Sequence, residues 1–252
     1  MPSQADRIAG WMRERLAASG ARGFVVGLSG GVDSAVVAGL AQIAAGANVV
    51  GVLMPCHSDA RDESDARVVA DHFQLRTLRI DLAQPYDALI SGLLDATSAI
   101  PGTGGGTPDD IRARLPHVNV KPRLRMTTLY FVANTLNYLV AGTGNRSELV
   151  LGYFTKYGDG GVDLLPIGHL VKSQVRELAR ELGIPAPIID KAPSAGLWIG
   201  QTDEAEMGFT YADLERYLTD GKGSVTPALA DQIDRLMHGS EHKRALAPVP
   251  QF

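Results

Sequence analysis

The chain has 252 residues, 45% of them hydrophobic, which suits one large α/β domain or one domain with small additions. Its formal net charge of −4 argues against a general nucleic-acid or membrane-surface protein, and no apolar run approaches the ~18 residues that span a bilayer. Cys56 is the single cysteine, so no intrachain disulfide can form, and Arg13 and Arg15 interrupt any signal-peptide pattern. These features favour a cytoplasmic protein that binds neither nucleic acid nor membrane.

Strands and helices alternate along the chain, and this order predicts a doubly wound, mostly parallel α/β sheet with helices on both faces. We expect a five-stranded sheet, of which four strands can be placed in the sequence. A Gly/Pro-rich stretch at 100–108 interrupts the alternation; its glycines could cradle a phosphate, but flexible linkage is the favoured role. The predicted strands lie at 23–26, 49–54, 75–80 and 139–143, and the predicted helices at 3–19, 35–44, 62–73, 85–96, 123–138, 147–154, 171–182, 211–218 and 227–238.

A glycine-rich turn separates the first buried strand from the helix that follows it. Its residues are Gly27, Leu28, Ser29, Gly30, Gly31, Val32, Asp33 and Ser34. The carboxyl end of a parallel strand and the amino end of a helix meet there, which is where such sheets bind phosphates. The loop lacks the Lys of a Walker A motif, and Asp33 could instead hold Mg²⁺ on a bound triphosphate. The alternative is an ordinary helix start with a capping Ser and an acidic first turn.

A second strand-to-helix turn, 142–148, is expected beside the first one. Asp33 and Glu148 would then be two carboxylates from different loops that share one Mg²⁺. The alternative for Glu148 is a capping-box partner. The run from Tyr153 to Asp163 follows, and its glycines predict turns from which Lys156, Asp159 and Asp163 project.

Taken together, these motifs resemble those of NAD synthetases, within the ATP pyrophosphatase superfamily that carries an S-G-G-x-D-S loop. The order and rough spacing match over nearly the whole chain, and YFTKYGDGGVD at 153–163 is the most specific stretch. Lys172, the Pro193-Ser194-Ala195 run and Glu241–Arg244 continue the match. The resemblance implies an adenine nucleotide alpha hydrolase-like fold and one synthetase domain over residues 1–252.

The implied reaction is the ATP-dependent amidation of deamido-NAD with ammonia by a homodimer, through an adenylated carboxylate, with release of pyrophosphate and AMP. Mg²⁺ would neutralise charge on the phosphates. The resemblance assigns the ATP contacts to Gly27 to Ser34, Thr143, Lys172 and Ser194, and the Mg²⁺ ligands to Asp33 and Glu148. It assigns the deamido-NAD contacts to Arg123, Lys156, Asp163, His242 and Lys243. Asp159 is a candidate for taking a proton from ammonium.

One of these assignments departs from the family pattern, and three have alternatives in the sequence itself. The family often has Thr where Ser194 stands, so that contact rests on a shared hydroxyl. Lys172 begins a helix and could be a solvated surface residue, and composition alone favours disorder for the charged 241–244 tail. Arg123 could be a helix-face charge.

The nitrogen source is expected to be free ammonia. Glutamine-dependent synthetases carry an amidase domain with a catalytic Cys, for which this chain has no room, and Cys56 at a strand end is interpreted as non-catalytic. A separate glutaminase that supplies the ammonia as a partner protein is the alternative. The 101–108 loop and the 191–208 segment, which contains Trp198, are expected to close over bound nucleotides.

Two rival functions remain at the level of sequence. The same loop serves enzymes that adenylate and then thiolate or amidate other acceptors, including tRNA bases. Thiolation commonly needs cysteine pairs, and tRNA binding commonly needs a basic surface. The other rival is a non-catalytic ATP-binding sensor, which would not need the carboxylates or Lys172.

Overall fold

The sheet has four parallel strands. The structure is a computed structural model that describes residues 2–100, 111–194 and 202–250. The strands are β1 (Phe24–Gly27), β2 (Val49–Leu53), β3 (Arg76–Arg79) and β4 (Leu139–Val140), arranged in the order β3-β2-β1-β4. The predicted α/β class and parallel sheet are confirmed, and Phe24 pairs with Val49 on one side and with Leu139 on the other.

The predicted fifth strand is wrong for the described residues. Beyond β4 the sheet continues only as one isolated parallel bridge between Ala141 and Leu164. The chain after residue 153 forms turns instead, because its glycines favour turn conformations and Pro166 has no N–H to donate to a ladder. The fourth strand also ends earlier than predicted, at Val140 rather than Thr143.

Helices cover both faces of the sheet. They are α1 (Gln4–Ser19), α2 (Val32–Ala45), α3 (Ala60–His72), α4 (Ala83–Thr97), α5 (Ile111–Val118), α6 (Val120–Leu136), α7 (Arg146–Leu151), α8 (Lys172–Glu181), α9 (Ala186–Ile189), α10 (Asp203–Met207), α11 (Tyr211–Asp220), α12 (Pro227–Gly239) and α13 (Glu241–Arg244). Ser3 caps α1 as predicted. Helix α5 was not predicted, and the 241–244 tail is helical rather than disordered.

Alternation along the strands sends side chains to two cores. Phe24 and Val26 of β1 pack with α1, α2 and α8 on one face, whereas Val25 packs with Val132 of α6 on the other. A third apolar cluster joins α7 to α10, α11 and α12 around Leu214 and Ile233. Helices α10, α11 and α12 are thereby anchored to the helix that carries Glu148.

Two expectations concern segments outside the described residues. The Gly/Pro-rich loop 101–108 and residues 195–201, including Trp198, belong there. The end of the 191–208 segment is described, and it forms α10 rather than a loop. In the described parts of the chain, none of the helices combines the length and apolarity that crossing a bilayer requires.

Candidate active site

The turn between β1 and α2 has the geometry of an anion-binding loop. Gly31 is the N-cap of α2 and no side chain caps the helix, so its first N–H groups are open to a ligand. Gly30 has a φ of +78°, which glycine adopts without strain. The Ser29 and Ser34 hydroxyls lie 3.1 Å apart, and Ser34 Oγ donates to Gly31 O at 2.9 Å. The loop from Gly27 to Ser34 is therefore preformed.

The loop after β4 lies beside this turn because β4 pairs with β1. Asn145 is the N-cap of α7 and forms a capping box with Glu148, whose carboxylate accepts from Asn145 N at 3.2 Å. The Asn145 Nδ2 atom also donates to Asp33 Oδ1 at 3.0 Å, across 112 positions of sequence. Glu148 therefore both caps α7 and lies on the loop next to Asp33, so the two interpretations of this residue are compatible.

Lys172 joins the two carboxylates. Its Nζ lies 2.5 Å from Asp33 Oδ2 and 3.8 Å from Glu148 Oε1. The residue is only 2% exposed, so the solvated-surface alternative is wrong. It stands at the start of α8, which packs on α2 through Val175 and Leu178, and this packing aims the side chain into the cluster.

Burial and charge set the protonation of this cluster. Burial, reinforced by the charge of Asp33, raises the pKa of Glu148 to about 8. Burial alone would lower the pKa of Lys172, but the carboxylates of Asp33 and Glu148 outweigh it and leave that pKa raised. Lys172 therefore stays charged at neutral pH, where it pairs with the Asp33 carboxylate, while the carboxyl group of Glu148 is largely protonated in the protein without a metal.

Two residues that the sequence did not single out complete the cluster. The Tyr211 ring lies 5.3 Å from Lys172 Nζ, and its hydroxyl donates to Asp203 Oδ2 at 2.8 Å. Burial and the neighbouring carboxylates Glu148 and Asp203 raise the pKa of Tyr211, so its hydroxyl remains a donor. Both residues lie in the last third of the chain, and no local motif marks either of them.

The donor set fits a divalent cation. Asp33 and Glu148 converge on one positive group, Lys172 Nζ, and their mutual repulsion would be relieved by further positive charge. No group of three or more His, Cys, Asp or Glu within residues 2–100, 111–194 and 202–250 could hold a metal alone. Mg²⁺ usually binds one or two carboxylates together with substrate phosphates and water, so Asp33 and Glu148 are the residues that could hold it here.

The 153–163 loop is held in place by its own carboxylates. Asp159 Oδ1 accepts from Thr155 N at 2.9 Å, and Asp163 accepts from Val140 N at 2.8 Å and from Tyr130 OH at 3.0 Å. Desolvation by the surrounding protein raises the pKa of Asp159, although backbone N–H groups, Lys243 and Arg125 oppose it. The contacts of Asp163 in the structure are with β4 and α6, and Asp159 lies at the surface of the same loop.

The C-terminal helix α13 closes over the start of this loop. Lys243 Nζ donates to Gly152 O at 2.8 Å and to Phe154 O at 2.9 Å. Lys156 Nζ donates to His242 O, and Arg123 donates to Lys156 O at 3.4 Å. The predicted acceptor-binding residues Arg123, Lys156, His242 and Lys243 are therefore brought together around one loop.

The remaining predicted residues are placed as follows. Thr143 is half-buried in the turn between β4 and α7, beside the phosphate loop. Ser194 is exposed at the end of a described segment, three residues after Lys191. Cys56 is fully buried, with Sγ 3.6 Å from Leu82 O, which leaves its thiol no access to a substrate.

The chain is similar to known proteins over nearly its whole length. Residues 4–247 match the model of the NAD synthase family. The chain is 52% identical over 247 residues to the NH(3)-dependent NAD(+) synthetase of Carboxydothermus hydrogenoformans, covering 98% of this chain and 96% of that protein. It resembles the solved NMN synthetase of Francisella tularensis (TM-score 0.88, 36% identity, 99% of this chain and 98% of that one). It also resembles the NH3-dependent NAD synthetase of Campylobacter jejuni (TM-score 0.78, 28% identity, 98% of both chains).

Proposed function

The chain belongs to the NAD synthase family, and on that premise we propose how its own residues carry out the reaction. The reaction is the ATP-dependent amidation of deamido-NAD with ammonia, the last step of NAD biosynthesis. The observation that carries the assignment of residues is Lys172 Nζ, buried between Asp33 and Glu148 beside the phosphate loop. A protein that only bound ATP would not need such a cluster.

Activation of the carboxylate is the first step of the proposed mechanism. The loop from Gly27 to Ser34 binds the ATP phosphates through its N–H groups, with Thr143 and Ser194 as further ATP contacts. Oxygen of the nicotinate carboxylate attacks the α-phosphorus, and pyrophosphate leaves. Lys172 lies at the start of α8, where its ammonium can offset the negative charge that develops on the phosphates.

Asp33 and Glu148 are the residues that would hold Mg²⁺ on the phosphates. The ion would supply charge neutralisation for the departing pyrophosphate. Asn145 orients both carboxylates, since its side chain donates to Asp33 and its N–H donates to Glu148.

Amide formation is the second step. Arg123, Lys156, Asp163, His242 and Lys243 are proposed to hold the acceptor nucleotide. Asp159 is proposed to take a proton from ammonium, because its carboxylate lies on the same loop as Lys156 and Asp163 and desolvation raises its pKa. The ammonia nitrogen then attacks the acyl carbon and AMP leaves with one oxygen of the original carboxylate.

Ammonium-dependent synthesis is tested with the purified chain, ATP, Mg²⁺ and deamido-NAD. We expect NAD and pyrophosphate in equal amounts with ammonium, and no NAD with glutamine. NAD formation from glutamine alone would contradict direct use of ammonia, whereas bound ATP without pyrophosphate would contradict the catalytic role.

The acceptor has a second candidate. The F. tularensis structure that this chain resembles is named an NMN synthetase, so the corresponding acid, nicotinate mononucleotide, is the alternative acceptor. The curated relatives named as NAD synthetases favour deamido-NAD. We expect kcat/KM to be higher for deamido-NAD when the two acceptors compete in one assay, and the reverse order would select the mononucleotide.

We also propose a homodimer and a cytoplasmic location for this single synthetase domain. Helix α4 has no buried residue, and its Leu89, Leu93 and Leu94 are 43–50% exposed, while Phe131 of neighbouring α6 is 72% exposed. A second copy of the chain would cover these side chains. Analytical ultracentrifugation should show a dimer that L93E/L94E dissociates; a wild-type monomer would contradict the proposal.

A further inference from the structure

Lys191 bridges two carboxylates on α3. Its Nζ lies 2.9 Å from Asp62 Oδ1 and 2.5 Å from Asp65 Oδ2, across more than 120 positions of sequence. The three side chains are each 30% exposed. Partial burial lowers the pKa of Lys191, but the hydrogen bonds to Asp65 and Asp62 outweigh it and leave the pKa raised. The ammonium therefore keeps its charge and its two partners.

The part of α3 that carries these carboxylates is pressed against the phosphate loop. A Cβ atom on Gly30 would stand 2.4 Å from Asp62 O, 2.9 Å from Asp65 Cβ and 3.2 Å from Ala66 N. Only a glycine permits this approach, so α3 and the phosphate loop are in direct contact. A residue tied to Asp62 and Asp65 is thereby tied to the phosphate loop as well.

The same segment has a second anchor on the other side. Pro193 O accepts from Asp203 N at 3.1 Å, and Asp203 in turn accepts from Tyr211, whose ring lies against Lys172. Ser194 follows Pro193 directly and lies three residues after Lys191, a span of at most ~11 Å. Its position is therefore set by α3 from one side and by the Lys172 cluster from the other.

We propose that Lys191 is a positioning residue for ATP: by bridging Asp62 and Asp65 it holds Ser194 beside the phosphate loop. The inference rests on the proposed role of that loop and Ser194 in binding ATP. A direct contact between Lys191 and the phosphates is the competing role, but it would require the anion to displace two carboxylates. The two roles differ in what loss of a carboxylate does. A positioning bridge is weakened when Asp65, the nearer of the two carboxylates, loses its charge, whereas a direct phosphate contact is strengthened because Lys191 is freed for the anion.

The test is ATP binding by calorimetry with Mg²⁺ and the full chain, without acceptor, supported by KM and kcat. We expect K191M and D65N each to weaken ATP binding about tenfold and to raise KM for ATP more than they lower kcat. The double variant K191M/D65N should bind ATP as weakly as either single variant. The control is R67M, since Arg67 lies on the same helix and pairs with Glu63 at 2.7 Å on the exposed surface. It should bind ATP within twofold of wild type.

Each other outcome has a distinct meaning. Tighter ATP binding by D65N with weaker binding by K191M would overturn the positioning role in favour of a direct phosphate contact. Unchanged binding in both variants would overturn it as well, while leaving the proposed function intact. Absence of ATP binding by wild type would instead remove the proposed function. Should K191M fail to fold, K191R is expected to restore most of the affinity, and D65N still decides.

Discussion

Lys172 Nζ lies 2.5 Å from Asp33 Oδ2, although the two residues are 139 positions apart. The contact joins the first turn of α2, which follows β1, to the first turn of α8 on the same face of the sheet. Because the ammonium also faces Glu148, one buried cation serves two carboxylates from two loops. Much of the proposed chemistry depends on this contact.

Replacement of Lys172 by Met should remove activity and stability together. The variant leaves the partly buried Asp33 carboxylate without its cation, and breaking a buried pair in this way typically costs ~3–5 kcal/mol. We expect kcat/KM to fall by at least about a hundredfold, the scale of losing one group that stabilises developing charge.

Steady-state kinetics and urea unfolding would measure both effects. The matched control is K222M, because Lys222 forms an ion pair with Asp234 on the exposed surface, where such pairs contribute little to stability. A K172M enzyme with wild-type kcat/KM would contradict the role of Lys172.

Glu148 should make stability depend on pH. Burial and Asp33 raise its pKa from 4.5 in the unfolded chain to about 8 in the folded one. The folded state holds the proton more tightly, so the stabilisation is complete below pH 4.5 and is lost as pH rises through 8. E148Q keeps the capping hydrogen bonds but does not titrate. Its stability relative to wild type should therefore rise between pH 5 and pH 8.5, by at most ~1.4 kcal/mol per pH unit.

Urea unfolding at several pH values checks this prediction on the protein without ligands. E14Q, which changes an exposed residue of α1, serves as the control. A stability difference between E148Q and wild type that stays constant with pH would show that Glu148 ionises normally.

Local patterns in the sequence were sufficient for the phosphate loop and the order of elements. Gly30 and Gly31 between an apolar strand and a helix specify their own turn, and Ser3 specifies a helix start, because these are interactions within a few residues. The neighbouring positions of Asp33 and Glu148 also followed, since parallel strands end at one edge of the sheet.

Substitution of Gly30 should disrupt the phosphate loop. An alanine there would be strained by the φ of +78°, and its Cβ would stand 2.4 Å from Asp62 O. We expect G30A to lose ~2 kcal/mol or more of stability and most ATP affinity. The control is G223A, because a Cβ at Gly223 meets open space. Calorimetry with ATP and urea unfolding would check both variants, and unimpaired ATP binding by G30A would show that the loop tolerates movement of α3.

Arg244 should stabilise the helix that carries Glu148. Its guanidinium donates to Leu149 O at 3.1 Å, Val150 O at 2.9 Å and Met237 O at 2.6 Å, which ties α13 and α12 to the end of α7. R244M would leave these carbonyls without that donor, at a cost of ~1–3 kcal/mol.

The adjacent Lys243 and His242 would shift with α13, so KM for the acceptor nucleotide should rise more than KM for ATP. R216M is the control, since Arg216 forms an exposed ion pair with Asp213 within one helix. Equal rises in KM for both substrates, or none, would show that α13 does not position the acceptor residues.

The sequence could not reveal interactions that depend on distant packing. Nothing local distinguishes Lys172 from a surface lysine at a helix start; its burial comes from α8 packing on α2 and from Tyr211. The 241–244 tail looks disordered by composition, yet the backbone carbonyls of Leu149 to Phe154 hold it as a helix. The fifth strand fails for a further reason of this kind, because Asp163 is held by Val140 and Tyr130, 23 and 33 positions away, in a loop whose glycines already favour turns.

Oxygen transfer from the acceptor carboxylate tests the central claim most directly. Deamido-NAD labelled with ¹⁸O in both carboxylate oxygens is converted with ATP, Mg²⁺ and ammonium, and the ¹⁸O content of each product is measured by mass spectrometry. The account predicts one ¹⁸O in each AMP, one in each NAD amide and none in pyrophosphate, since the carboxylate oxygen attacks the α-phosphorus. Unlabelled AMP, or label in pyrophosphate, would contradict an adenylated carboxylate at this site.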